Sequence, residues 1–185
     1  MATNGCKRHS AFDSFYKKRP NLHILMLSPW YPLGSMTHGI FFHDQAQALM
    51  HYGTEMGVIA ANVHPLHQIP LSELGRRLIP KSHPLPKGGP RGFVLESLQY
   101  IPYFQSFKLR QTQWHCERLL KRYIHNFGRP DLIHAHCALF SGAIACEWKK
   151  TYGIRYVLTE HSSRYANYPL KSWEKELARN AFSHA

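Results

Sequence analysis

His134 and His136 flank Ala135 in the string PDLIHAH, and Thr159, Glu160, His161 and Ser162 follow one another in YVLTEHSS. Both groups close short apolar runs, so each stands at the carboxyl end of an expected strand. An i, i+2 spacing there puts the two imidazoles on one face of the strand, and ligands of open parallel sheets bind in the crevice at that edge. An HxH pair invites a metal reading. Metallohydrolases built on it need further His or Asp ligands at set places, and no HxHxDH or HExxH follows, so no metal is expected. A plainer reading makes one histidine a satisfied core residue and the other a surface residue. For Glu160 two roles stand side by side: contact with a substrate, or holding a loop by accepting backbone N–H bonds. Cys6, Cys116, Cys137 and Cys146 form no CxxC pair and are expected as reduced thiols.

A third polar edge is expected from residues 22–50. Leu22, Ile24, Leu25, Met26 and Leu27 form an apolar run with little alternation, the pattern of a parallel strand covered on both faces. Pro29, Pro32 and Gly34 break regular structure. Beyond Gly39, the residues Phe42, Ala46, Leu49 and Met50 recur on one helical face, so a helix starts near Gly39 and ends with Gly53 at its cap. At such a strand-to-helix junction free N–H groups and the helix dipole favour an anion such as a diphosphate.

The elements that position these groups alternate. Strands are expected at about 22–28, Glu55 to Ala60, Phe93 to Leu98, Asp131 to Ala135 and in IRYVLTEH, whose Tyr156, Val157 and Leu158 read as continuously apolar. Helices are expected at Ser106 to Phe127, with a Leu119, Leu120, Tyr123, Ile124 and Phe127 stripe, at Leu139 to Tyr152, and from Leu170 to the end. The proline-rich segment 61–92 reads as a long surface excursion around a short helix, LSELGRRLI. The pattern predicts an α/β fold, a Rossmann-like parallel sheet with helices on both faces. Residues 1–20 are expected to be a basic, disordered leader and 21–185 one domain. At 185 residues with 44% hydrophobic and 18% charged, the chain has a globular balance, and no apolar run approaches the roughly 20 residues of a membrane span.

The strings ILMLSPWYP, GIFFHDQAQAL, PDLIHAH and YVLTEHSS, in this order, resemble the amino-terminal domain of the retaining glycosyltransferases of family 4, which have the GT-B fold. The resemblance runs from about Leu22 to the end of the chain. It implies one half of a two-domain cleft, the first domain contacting mainly the acceptor and the second holding a nucleotide sugar. It further implies polysaccharide biosynthesis, with transfer from a nucleotide-sugar donor to a glycan or lipid-linked acceptor and no cofactor or obligatory metal. By that resemblance His136 reaches the transferred sugar and is the catalytic candidate, Gly39 is the donor-phosphate-binding glycine, and Glu160, His161 and Ser162 face the acceptor. The family's E-x7-E glutamate pair is missing: no glutamate here has another eight positions later. The expectation is a chain truncated before the donor-binding domain, a gene fragment or a split protein, inactive by itself.

A formal charge of +12 draws the surface toward phosphate groups. The competing reading is therefore a non-catalytic module that docks on anionic membrane lipid or lipid-linked saccharide, with Trp30, Tyr31, Phe41 and Phe42 as apolar contacts. Nucleic acid is not expected as a partner, because no basic-aromatic module is recognised. Without a secretory signal, and with Ala2 excluding myristoylation, the expected location is the cytoplasm, peripheral at the inner face of the membrane.

Overall fold

His23–Ser28 form strand β1, and all six residues are buried. The reason is its place in the sheet: β1 pairs in parallel with β2 (Glu55–Pro65) on one side and β5 (Leu132–His136) on the other. With β3 (Lys81–Pro84), β4 (Arg91–Gln99) and β6 (Arg155–Thr159), the six strands run in the order β3-β4-β2-β1-β5-β6. The structure, a computed structural model, describes residues 21–33, 39–65, 71–72, 80–99, 105–161 and 169–185. The expected leader and most of LSELGRRLI lie outside the described residues.

Alternation along the strands sends side chains to two cores. Leu25, Leu27, Ile59, Ala61, Ile133 and Ala135 meet Leu119, Leu120 and Tyr123 of α2 (Gln105–Phe127) and Ile144 and Trp148 of α3 (Ala143–Tyr152). Ile24, Met26, Val58, Ala60 and Val94 meet Phe42 and Ala46 of α1 (Ile40–His51), together with Tyr31. Helices thus cover both faces of the central strands, as the Rossmann-like expectation requires. The last helix, α4 (Ser172–Ser183), packs Ala178 and Ala181 against Ala138.

Four expectations need correction. Strand β2 does not stop at Ala60 but runs to Pro65, because it pairs with β4 over nine residues. Asn62, a poor strand residue by propensity, is tolerated there because its buried amide bonds the backbone N–H and C=O of Tyr31 at 2.8 and 2.9 Å. Segment 61–92 is not simply an excursion, since β3 pairs antiparallel with β4 and makes the sheet mixed. That strand is short, exposed and carries Lys81 and Pro84, features of a protected edge. At the other edge Val157 is 44% exposed, so β6 is not covered on both faces like a central strand. Finally, the helix expected from Leu139 begins at Ala143; Leu139 and Phe140 of the preceding turn are non-helical.

Candidate functional site

Register places the two histidine-bearing strand ends together. In the β5–β6 ladder His136 lies opposite Thr159, so Glu160 and His161 leave β6 beside His136. Because Ile133 and Ala135 point into the α2–α3 core, His134 and His136 share the opposite face, with ring centroids 4.1 Å apart. His134 Nε2 lies 2.8 Å from Thr159 Oγ1, and His136 Nδ1 lies 2.9 Å from His161 Nε2. The planes of His136 and His161 are inclined by only 16°. The first turn of α1 closes the third side. Phe42 meets His136 edge-on at 4.9 Å between centroids, and Phe41 meets His161 at 5.2 Å.

His136 is wholly buried. Its Nε2 has no hydrogen-bond partner among the described residues, although buried polar nitrogens are nearly always paired. Burial, and then repulsion from His134 and His161, pushes its pKa down to about 3. Burial and His161 lower that of His134 as well. At neutral pH His136 is an uncharged ring. Its free nitrogen donates or accepts one hydrogen bond according to the tautomer set across the bond to His161. Such a ring orients a hydroxyl. It is no proton donor at neutral pH.

The loop after β5 is strained and anchored from β6. Cys137 and Phe140 have φ of 70° and 68°, a region that side chains other than glycine rarely adopt. The Ala138 N–H donates to Glu160 Oε2 at 2.7 Å, and the Cys137 N–H donates to the Thr159 carbonyl at 2.9 Å. Of the two roles open for Glu160, Oε2 fills that of holding a loop, which does not decide on contact with a substrate. Burial and the Glu160 carboxylate also push the Cys137 thiol up to about 11, which keeps it protonated.

Gly39 precedes α1 with φ of +83°, and a Cβ there would lie 2.7 Å from Trp30 Cδ1. Its glycine is thus required by the backbone turn and by Trp30. Ser162, and residues 34–38 that precede Gly39 in the sequence, lie outside the described residues. Of the five residues expected at the site, His136, Glu160 and His161 are brought together, with Gly39 at the start of the helix whose Phe42 covers His136. Sequence reasoning missed the ring contacts from α1 to His136 and His161 and the clamp of Asn62 on Tyr31; an Asn inside an apolar strand was the available signal for the clamp. It also offered Tyr31 and Phe42 as surface contacts, whereas they are 2% and 0% exposed and belong to the core.

Among the described residues no three His, Cys, Asp or Glu side chains are arranged to hold a metal ion. His134 and His136 spend nitrogens on Thr159 and His161 instead. On the far side of α1 runs a groove of about 860 Å³, bounded by Tyr31, Ile40, His43 and Gln47 and by the β3–β4 hairpin with His83 and Glu96. Its floor is tied by a 2.9 Å bond between the Tyr31 hydroxyl and His43 Nδ1.

Comparison with known proteins agrees with this frame. "Putative teichuronic acid biosynthesis glycosyltransferase TuaC" of Bacillus subtilis (strain 168) is 29% identical over 153 residues, covering 79% of this chain and 38% of that protein. The chain therefore spans less than two fifths of the length of this curated relative. The model of Glycosyltransferase Family 4 matches residues 38–185, from the turn before α1 through the histidine strand ends to the last helix. The chain belongs to glycosyltransferase family 4.

Proposed function

We propose that this domain is the acceptor-side, amino-terminal part of a retaining glycosyltransferase that moves a sugar from a nucleoside-diphosphate donor to a glycan or lipid-linked acceptor. The observation that carries the reading is His136 Nε2, a buried nitrogen with no partner among the described residues, on a ring fixed from behind by His161. In this reading Nε2 bonds a hydroxyl of the transferred sugar once the groups that cover it give way. It contributes positioning and electrostatic stabilisation beside the reacting carbon, without taking a proton itself. The amides at the start of α1, reached by way of Gly39, face the donor diphosphate. His161 and Ser162 border the acceptor, and Glu160 supports them by fixing the Ala138 backbone. The groove between α1 and the β3–β4 hairpin gives an extended acceptor a lane of suitable size, with ring faces and paired polar groups along it. The expected cellular setting is the cytoplasmic side of a membrane, in polysaccharide assembly.

In the family the basic residues that neutralise the leaving diphosphate, and the E-x7-E glutamates, belong to the second domain, and no E-x7-E pair occurs in this sequence, so the 185-residue chain by itself is expected to sustain no transfer. Release of nucleoside diphosphate is to be followed with UDP- and GDP-sugars and a panel of mono- and disaccharide acceptors. No steady turnover is expected. Multiple turnovers at ordinary enzyme rates, about 1 per second or faster, contradict the assignment as an acceptor-side half.

A further inference from the structure

We propose that the outer face of α2 is the surface by which the protein docks on an anionic lipid bilayer. Arg110, Trp114, Arg118, Lys121 and His125 are all exposed and recur at three- and four-residue spacing, opposite the buried Cys116, Leu119, Leu120 and Tyr123. At 1.5 Å per residue this stripe is about 22 Å long. Glu117 is the one acidic residue of the helix, and it is occupied by Lys121 at 3.3 Å and by the Tyr152 hydroxyl. The stripe thus carries three formal cations, Arg110, Arg118 and Lys121, the last of them offset by Glu117. Trp114 is 54% exposed, with the Arg118 guanidinium 4.8 Å above its ring. An indole and a long basic side chain in one exposed pair suit the headgroup layer, where a ring sits among glycerol groups and a guanidinium meets phosphate. A single ring does not suit a nucleic-acid strand, whose successive bases stack on several. The apolar contact on this face is Trp114; of the aromatics offered from the sequence, Tyr31 and Phe42 are core residues, and Phe41, 43% exposed, lies on the other side of the sheet against His161. Because α2 and the two histidines occupy opposite faces of the sheet, docking leaves the histidine site uncovered. The grounds are charge and exposure, independent of what the histidine site binds.

The test is co-sedimentation of the full chain with vesicles of phosphatidylcholine alone and of phosphatidylcholine with about one third phosphatidylglycerol, at low and high salt. Binding is expected only to the anionic vesicles, with loss at high salt. Arg110→Gln and Arg118→Gln are each expected to weaken it about fivefold, and Trp114→Ala is expected to weaken it further with the circular dichroism unchanged. Arg122 is spared because its guanidinium lies 4.3 Å over Phe93 and bonds Ser82. Arg179→Gln, at an exposed position on α4, serves as a charge-matched control for each of the two arginine variants. Equal weakening by that control overturns the proposal, because attraction is then spread over the whole surface. Failure to bind anionic vesicles at low salt overturns it too. So does a single-stranded oligonucleotide that binds more tightly than the vesicles and loses affinity with the same α2 variants.

Discussion

His136 Nδ1 and His161 Nε2 lie 2.9 Å apart across the ends of two adjacent strands, and this bond leaves His136 with one nitrogen for a ligand. The pairing follows from register alone: His136 stands opposite Thr159, and His161 comes two residues later. It fixes the ring from behind while Phe42 fixes it from the side. A ring held in this way orients a bound hydroxyl at little entropic cost.

The first prediction concerns pH. Burial holds the His136 pKa at about 3, below the ordinary histidine value of 6.5 that the unfolded chain approaches. Between the two values the unfolded state binds more protons. The stability contribution is therefore whole above pH 6.5 and is lost as the pH falls toward 3, at a slope of at most about 1.4 kcal/mol per pH unit. Urea unfolding of the wild type should weaken more steeply from pH 6.5 to 4 than that of His136→Gln. Identical slopes in the two proteins contradict the buried, neutral ring.

Glu160→Ala leaves the buried Ala138 N–H without its acceptor and should cost about 1–3 kcal/mol. Glu160→Gln keeps an acceptor oxygen and should cost less. Because Cys137 and Phe140 stay at positive φ only under restraint, the alanine variant should also speed amide exchange in residues 137–142. If both variants unfold at the wild-type urea concentration, Glu160 does not anchor the loop.

Gly39→Ala and Gly53→Ala separate two reasons for glycine. Both positions have positive φ, +83° and +86°, but a Cβ at Gly53 meets nothing within 4 Å whereas one at Gly39 meets Trp30. Gly53→Ala should cost about 1 kcal/mol from the backbone conformation alone. Gly39→Ala should cost more and shift tryptophan fluorescence. Equal costs with unchanged fluorescence would show that Trp30 does not press on this turn.

The central strand and the histidine ends were legible because each has a local signature: an unbroken apolar run for β1, and polar residues at apolar-run ends for β5 and β6. Strand β3 has none. Lys81, Ser82 and Pro84 are strand residues only because β4 pairs with them, and pairing is not local. The kinked turn before α3 was hidden for the same reason. Leu139 and Phe140 are helix-compatible by type, and what holds the turn open is Glu160, 22 residues away. The burial of Tyr31 and Phe42 likewise depends on distant partners, Asn62 and His136. An aromatic next to a proline loop reads as a surface contact until those partners are known.

The most direct measurement is histidine-resolved ¹⁵N NMR of the chain titrated with nucleoside-diphosphate sugars and with free mono- and disaccharides. The account predicts that a sugar-bearing ligand shifts the ring signals of His136 and His161 together, leaves those of His115 and His125 on α2 in place, and produces no shift in His136→Ala. A bound sugar that moves only the α2 histidines, or a full panel at millimolar concentration that moves neither His136 nor His161, contradicts it.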